Sequence, residues 1–192
     1  MTATREQVEV TALRVLHQRG FDQVSVDELA TTAGISRATF FRYFGTKAGV
    51  VWWRFDEAID VLERELAVPG ESDRLLDHIE EAIVRSIQTI TQDDEGIWWD
   101  RFALFDTEPA LQGDAAARWR RWTAALEKVL AASGAWGSDV PVPAIVASAY
   151  QGAYLGVLRS LPPTDRLPHR LEAHMREAFA WIAARVTEER LS

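Results

Sequence analysis

The sequence predicts an all-α protein with a three-helix N-terminal head and a larger helical C-terminal domain. Two observations lead to this prediction: apolar residues recur at the spacing of one helix face through most of the 192 residues, and residues that cap or end helices stand between these stretches. No stretch alternates apolar and polar residues as a half-buried strand does. We place the head at residues 1–49 and the C-terminal domain at residues 50–192.

The first predicted helix of the head runs from about Thr4 to Arg19, with Val8 and Ala12 on its apolar face. Gly20 is expected to end it, because glycine is the residue that most often follows a helix C-terminus.

A helix-turn-helix is predicted at residues 25–44. Ser25 and Glu28 form a capping box at the start of its first helix, and Ser36 caps its second. Gly34 lies between them, where a tight turn with positive φ favours glycine. Two capped helices around such a turn form a unit whose second helix enters the major groove of DNA.

Six further helices are predicted after the head. Thr46 caps the first of them, which ends before Pro69-Gly70 and belongs partly to the head. The polar run 92–96 closes the next, and residues 137–143 form a loop. The other five helices are placed at Leu75 to Ile90, Ile97 to Phe105, Pro109 to Ser133, Ala144 to Leu161 and Arg170 to Arg190.

Charge is distributed unevenly along the chain, whose net charge is −8. Residues 1–49 carry six basic and five acidic side chains, a net charge of +1, and the other fifteen basic and twenty-four acidic side chains give −9. The head also places Arg37, Arg42 and Lys47 close together in sequence, a cluster that suits DNA phosphates. Chance asymmetry is the alternative interpretation.

The helix-turn-helix resembles the signature of TetR-type transcriptional regulators. The resemblance lies in Ala33-Gly34-Ile35-Ser36 and in Thr39-Phe40-Phe41-Arg42-Tyr43-Phe44 followed by Lys47 and Val50. It implies a dimeric DNA-binding protein that responds to a small molecule. Trp52, Phe55-Asp56 and residues 108–112 also resemble the mycofactocin-type subgroup of these regulators.

DNA contacts are expected mainly from the second helix of the motif. At its start, Arg37 and Ala38 would face base edges, whereas Arg42 would meet a phosphate. The resemblance implies that Tyr43 and Lys47 bind the DNA backbone. The full set of expected DNA-binding residues is Ser25, Ser36, Arg37, Ala38, Thr39, Arg42, Tyr43 and Lys47.

Two positions depart from the TetR-type pattern. Phe41 stands where these regulators commonly have a phosphate-binding tyrosine, so one backbone contact is missing. The arm before the first helix carries a single arginine, Arg5, so contacts in the minor groove are not expected.

Aromatic residues of the C-terminal domain predict a pocket for an apolar small molecule. The alternative is that they are only packed core. The mycofactocin-type resemblance implies a fatty acyl-coenzyme A as the effector, and Arg118, Arg120 and Arg121 either bind its phosphates or form a solvated face. The expected pocket residues are Trp98, Trp99, Phe102, Phe105, Trp119, Trp122, Tyr150 and Tyr154.

The last two predicted helices suit self-association. One carries a strip of small residues that allows another helix to approach, and the other carries an apolar stripe. TetR-type proteins dimerise through this pair, so the resemblance implies a homodimer; the alternative is that both faces are used inside the monomer. The expected interface residues are Ser148, Gly152, Gly156, Met175, Phe179 and Ile182.

Catalysis and metal binding are not predicted. The chain has no cysteine and only four histidines, His17, His78, His169 and His174, which lie far apart, and it has no phosphate-binding glycine loop or nucleophile motif. We therefore expect no cofactor and no enzymatic activity. Without a signal peptide or an apolar stretch of membrane length, the protein is expected in the cytoplasm and not in a membrane.

The function predicted from the sequence is that of a ligand-responsive dimeric DNA-binding transcriptional regulator. It would act as a repressor that an apolar small molecule releases from a palindromic operator. The alternative function is that of a DNA-binding dimer with no small-molecule inducer.

Overall fold

The structure is a computed structural model that describes residues 3–68, 74–91, 96–134, 136 and 140–190. Residues 188–190 are described by their backbone alone. Outside this part of the chain lie two predicted helix ends, at Pro69-Gly70 and at 92–95. Residues 137–139 of the predicted loop lie outside it as well. The described residues form no strand, so the all-α prediction is confirmed. The helices are α1 (Arg5–Arg19), α2 (Val26–Thr32), α3 (Arg37–Phe44), α4 (Gly49–Ala67), α5 (Leu75–Thr91), α6 (Ile97–Thr107), α7 (Gln112–Ala132), α8 (Val142–Ser160) and α9 (Pro168–Arg190).

Local capping signals determine where the helix-turn-helix begins and turns. The Ser25 hydroxyl accepts a hydrogen bond from the Glu28 backbone N–H at 3.2 Å, and the Glu28 carboxylate accepts one from the Ser25 backbone N–H at 2.8 Å. The Ser36 hydroxyl accepts the Thr39 backbone N–H at 3.1 Å. Gly34 has φ +67°, as the predicted turn requires. Helices α2 and α3 therefore form the predicted motif.

Several helix starts differ from their predictions. Helix α8 begins at Val142, inside the predicted loop, and not at Ala144, and α9 begins at Pro168 and not at Arg170. The largest difference is at α7. Pro109 begins a short 3-10 turn, and the α-helix that was expected to start there begins at Gln112. The proline fits the turn because it has no backbone N–H to donate, and the first residues of either kind of helix need none.

The described residues form two compact units. The first comprises residues up to Glu57 together with 96–117, and the second comprises residues 58–91 and those from Arg118 onward. Helices α4 and α7 thus contribute residues to both units. The predicted functional division between residues 49 and 50 does not follow these packing units, and it remains a prediction.

The first unit is built around α1. This helix packs against α2 and α6, and α2 packs against α3. On α3, Phe40 and Phe44 turn inward with ring centroids 5.2 Å apart. Gly49 begins α4 under tight constraint, because a Cβ atom there would lie 1.8 Å from the Phe44 carbonyl oxygen.

The second unit is built around α9, which packs against α8 and α5. The apolar stripe of α9 is buried in these contacts, and Phe179 meets Tyr150 of α8 with ring centroids 5.3 Å apart. Polar pairs border the same contacts: the Gln88 amide donates to the Glu172 carboxylate at 3.1 Å, and Arg176 donates to Glu81 at 3.0 Å.

None of the helices in the described residues combines the length and the apolarity that crossing a membrane would require.

Candidate nucleic-acid interface and effector site

Helix α3 has one buried and one exposed face. Phe40 and Phe44 are in the core, whereas Arg37, Ala38 and Arg42 are exposed. The buried pair fixes the rotation of the helix, because residues four apart lie on one face. The structure therefore presents the three exposed residues that were expected to meet DNA on a single surface.

Arg37 is oriented by two neighbours. One of its terminal nitrogens donates to both carboxylate oxygens of Asp27 at 3.0 Å, and its guanidinium carbon lies 5.4 Å from the centroid of the Phe41 ring. Arg37 and Asp27 are both exposed, so this ion pair contributes about 0–1 kcal/mol. Such a weak pair can give way to a guanine or a phosphate.

Lys47 has an internal role that the sequence did not reveal. Its ammonium donates to the backbone carbonyls of Phe21 at 2.7 Å and Val24 at 3.1 Å, and it lies 4.2 Å from the centroid of the Phe21 ring. Two of its three N–H donors therefore hold the segment between α1 and α2. No pattern signals this, because the partners are more than twenty residues away.

The remaining expected DNA-binding residues are partly engaged within the first unit. Ser25 and Ser36 act as helix caps, and the Thr39 hydroxyl lies 3.0 Å from that of Ser36. The Tyr43 hydroxyl donates to the Ala3 carbonyl at 3.1 Å. A phosphate would have to replace Ala3 as the acceptor of that hydrogen.

Arg5 is packed into the first unit. Its guanidinium carbon lies 4.1 Å from the centroid of the Trp53 ring, and the Arg54 guanidinium carbon lies 4.0 Å from the same ring. Because Arg54 belongs to the same helix as Trp53, it is Arg5 that holds the indole of α4 against the start of α1.

A buried ion pair joins α1 to α6. Arg101 donates to the Glu9 carboxylate, and the side chains are only 1% and 3% exposed. Arg54 lies 3.8 Å from the second carboxylate oxygen of Glu9. Burial raises the pKa of Glu9 although both arginines favour its ionised form. The partners are 92 residues apart, too far along the chain for a local pattern to link them.

Four of the expected pocket residues form a chain of ring contacts on α6. Ring centroids are 5.5 Å apart for Trp98 and Trp99, 5.4 Å for Trp99 and Phe102, and 5.3 Å for Phe102 and Phe105. Phe105 also stacks on Trp52 at 5.3 Å. Trp99 is half-buried and the other three α6 side chains are buried.

The other four expected pocket residues lie in the second unit. Trp119 and Trp122 of α7 contact each other and the Tyr154 ring at centroid distances between 5.4 and 5.9 Å. Burial raises the pKa of Tyr154. Tyr150, one helical turn before Tyr154, meets the Phe179 ring, and its hydroxyl donates to Glu80 at 3.1 Å. Convergence of all eight residues on one cavity remains a prediction.

Two surface grooves of the second unit are lined by other residues. One of about 460 Å³ lies between α4 and α7 beside Leu66, Lys128 and Arg121. Arg121 donates to Glu63 at 2.8 and 2.6 Å and to Asp60 at 2.6 Å. Its charge is therefore already balanced, which weakens the expectation that it binds phosphates of an effector.

The expected interface residues differ in exposure. Ser148, Gly152 and Gly156 lie on the exposed face of α8, opposite its buried tyrosines. The expected residues on α9, which are Met175, Phe179 and Ile182, are buried within the protomer. Their stripe packs against α5 and α8, so it is covered within the protomer, whereas the small-residue face of α8 is exposed.

The fold and the surface of α3 together define a DNA-binding protein of the helix-turn-helix class. Comparisons with known families agree with this description. Residues 10–51 match the family model described as bacterial regulatory proteins of the tetR family, and residues 73–187 match that of the MftR C-terminal domain. The chain therefore belongs to the TetR family of transcriptional regulators, and these are not enzymes.

Two relatives are similar to parts of the chain. MftR of Mycobacterium tuberculosis (strain ATCC 25618 / H37Rv), whose name assigns it to regulation of mycofactocin biosynthesis, is 25% identical over 130 residues, 68% of this chain and 65% of that protein. EthR of Mycolicibacterium smegmatis is 47% identical over 49 residues, 26% of this chain and 23% of EthR. The matched segments span less than two thirds of either relative.

Solved structures of TetR-type regulators share the fold. SmeT, the repressor of the Stenotrophomonas maltophilia multidrug efflux pump SmeDEF, superposes with a TM-score of 0.69 at 19% identity over 95% of this chain and 89% of SmeT. A TetR/AcrR-family regulator from Thermobifida fusca gives 0.58 at 24% identity over 91% and 96%. These likenesses concern the fold alone.

Replacing one partner of the buried pair should destabilise the protein strongly. We expect Glu9→Leu or Arg101→Leu to lower the free energy of unfolding by about 3–5 kcal/mol, because each takes the nearest counter-charge away from a buried charged group. The double variant should recover part of this loss. Urea unfolding followed by tryptophan fluorescence measures all three.

Arg74→Leu is the matched control, because it breaks an exposed ion pair with Asp77 and should cost less than about 1 kcal/mol. Single variants of the buried pair that are no less stable than Arg74→Leu would contradict the assignment.

Proposed function

We propose that the protein is a dimeric, ligand-responsive repressor that acts in the cytoplasm, binds a palindromic operator and is released from it by an apolar small molecule. The observation that carries the DNA-binding part is the surface of α3. Arg37, Ala38 and Arg42 are exposed there, while Phe40 and Phe44 anchor the helix from the other side. A helix held in this way can present fixed side chains to base edges.

Homodimerisation is supported by the exposed face of α8. Ile145 is 54% exposed on this helix, and Trp181 on α9 is 65% exposed. Cβ atoms added at Gly152 or Gly156 would meet no atom within 4 Å in the protomer. Small residues beside exposed apolar side chains suit close approach of a second copy. Two such copies would present two α3 helices and hence read a palindrome.

Effector binding is supported by the aromatic composition of both units and by the match to the MftR C-terminal domain. An apolar chain would pack against the buried rings, and a fatty acyl-coenzyme A is the effector that we propose. Arg120 is exposed and is the better candidate for its phosphates, because Arg121 is held by Asp60 and Glu63. Helix α4 contributes residues to both units, and we propose that it transmits the change to the DNA-binding head.

The second candidate function is a DNA-binding dimer without an inducer. It is favoured by the packing of Trp119, Trp122 and Tyr154 directly against one another, as in a closed core. In that case the aromatic residues serve stability only.

Two arginines of α3 are expected to affect DNA binding differently. Arg37→Ala should relax sequence preference at one position by about 1–3 kcal/mol, because it removes a base contact. Arg42→Ala should weaken binding to all sequences alike and lower the salt dependence by about one phosphate contact. Binding-site selection from random DNA, followed by salt titrations on the selected operator, separates the two effects. Identical selection profiles for Arg37→Ala and the unchanged protein would overturn the assignment.

Leucine at the small-residue strip should prevent dimerisation without damaging the protomer. Gly152→Leu adds a side chain to open space in the single chain, so folding is preserved, but it would keep a second helix away at a cost of about 1–3 kcal/mol on each side. Sedimentation at low micromolar concentration reports the association state. Gly113→Leu, at another open helical position, is the control that should remain dimeric; a dimeric Gly152→Leu would move the interface elsewhere.

Palmitoyl-coenzyme A should stabilise the protein and release it from the operator. A ligand that binds only the folded state at a hundred times its Kd adds about 2.7 kcal/mol to stability, which thermal unfolding detects. Free coenzyme A and palmitate are the controls for each half of the molecule. Stabilisation with unchanged operator affinity would contradict the coupling, and no effect of any acyl chain on Tm would favour the second candidate function.

A further inference from the structure

Phe41 is the unusual residue of the DNA-facing surface. It is 37% exposed, and among the large apolar side chains described in residues 3–57 it is the one exposed to this extent. Its neighbours Phe40 and Phe44 already form the apolar contacts that anchor α3. The exposed part of the Phe41 ring therefore does not serve the core.

The ring is held in place at the edge of the exposed face. Phe40 meets it edge-on, with centroids 6.2 Å apart and planes at 89°. The Arg37 guanidinium, one helical turn earlier, lies 5.4 Å from its centroid. Ala38 is three residues before Phe41, so the two side chains are neighbours on the helix surface. Together they make a small apolar patch beside an arginine.

The chemistry of this patch restricts what it can bind. A phenyl ring has no hydrogen-bond donor, so it cannot bind a phosphate oxygen or a base acceptor as a tyrosine at this position would. The apolar group that DNA offers in the major groove is the C5-methyl of thymine.

We propose that Phe41, with Ala38 beside it, determines specificity by contacting the methyl group of one thymine in each half-site. This thymine neighbours the base pair that Arg37 reads, because the two side chains touch. The contact with the ring uses none of the guanidinium N–H donors, so they can bind a guanine once the exposed pair with Asp27 opens. The inference rests on the proposed DNA-binding function and deepens it.

Replacing thymine by deoxyuridine in the operator tests the proposal directly, since this change removes only the methyl group. Each thymine of the selected operator is replaced in turn, and binding is measured by fluorescence anisotropy. We expect about a fourfold loss of affinity at one thymine of each half-site, the effect of one buried methyl group, and none at the others.

The variant Phe41→Ala should bind thymine and deoxyuridine operators equally, whereas Phe41→Leu, which keeps an apolar side chain, should retain part of the preference. Arg42→Ala is the matched control on the same helix, and it should lose affinity but keep the full preference. Circular dichroism melting curves verify that each variant is folded. The measurement on the unchanged protein needs no variant at all.

Three results would overturn the proposal. They are equal binding of the unchanged protein to every deoxyuridine operator, survival of the full thymine preference in Phe41→Ala, and selection of an operator whose half-sites lack thymine. In each case sequence-specific binding itself persists, so the proposed function stands. A failure to select any sequence would instead reject the DNA-binding function, and the proposal with it.

Discussion

The buried ion pair between Glu9 and Arg101 is the constraint on which the first unit depends. Two charges this far from water are tolerated only together, because either one alone would carry a large desolvation penalty. Any other alignment of α1 on α6 would separate the two charges. The pair therefore fixes the position of α6 on α1, and with it the aromatic side chains that α6 carries. One of them, Phe105, stacks on Trp52 of α4 in the same unit. A shift of α6 would therefore act directly on α1, the first helix of the head.

The helix-turn-helix could be predicted closely because its signals are local. A serine three residues before its bonding partner specifies a cap, and Gly34 at positive φ specifies the turn. The internal roles of Lys47 and Tyr43 could not be predicted, because their hydrogen-bond acceptors, the carbonyls of Phe21 and Ala3, come from distant parts of the chain. Sequence spacing identifies the residues of a face, but only tertiary packing determines which atoms that face meets.

The same limit explains the outcome for the expected pocket and interface. Helical spacing predicted that Trp119 and Tyr154 turn inward, and both are buried, but it could not reveal that the aromatic residues of α6 belong to a different packing unit. It also predicted the apolar stripe of α9, of which Phe179 is the centre. Whether a partner helix of the same chain or of a second chain covers such a stripe depends on where α5 and α8 lie, and they cover it here.

The low net charge of the head limits how much of its DNA affinity can come from general attraction to phosphates. A net charge of +1 over residues 1–49 provides little of the general attraction to phosphates on which non-specific binding depends. Asp27 further occupies Arg37 in the free protein, so a random sequence gains little by displacing it. Under the proposed function, a correct site would replace the displaced pair with a bidentate contact and would offer the exposed face of Phe41 an apolar surface. In the proposed dimer, discrimination at base edges by two heads would then provide most of the affinity for the operator.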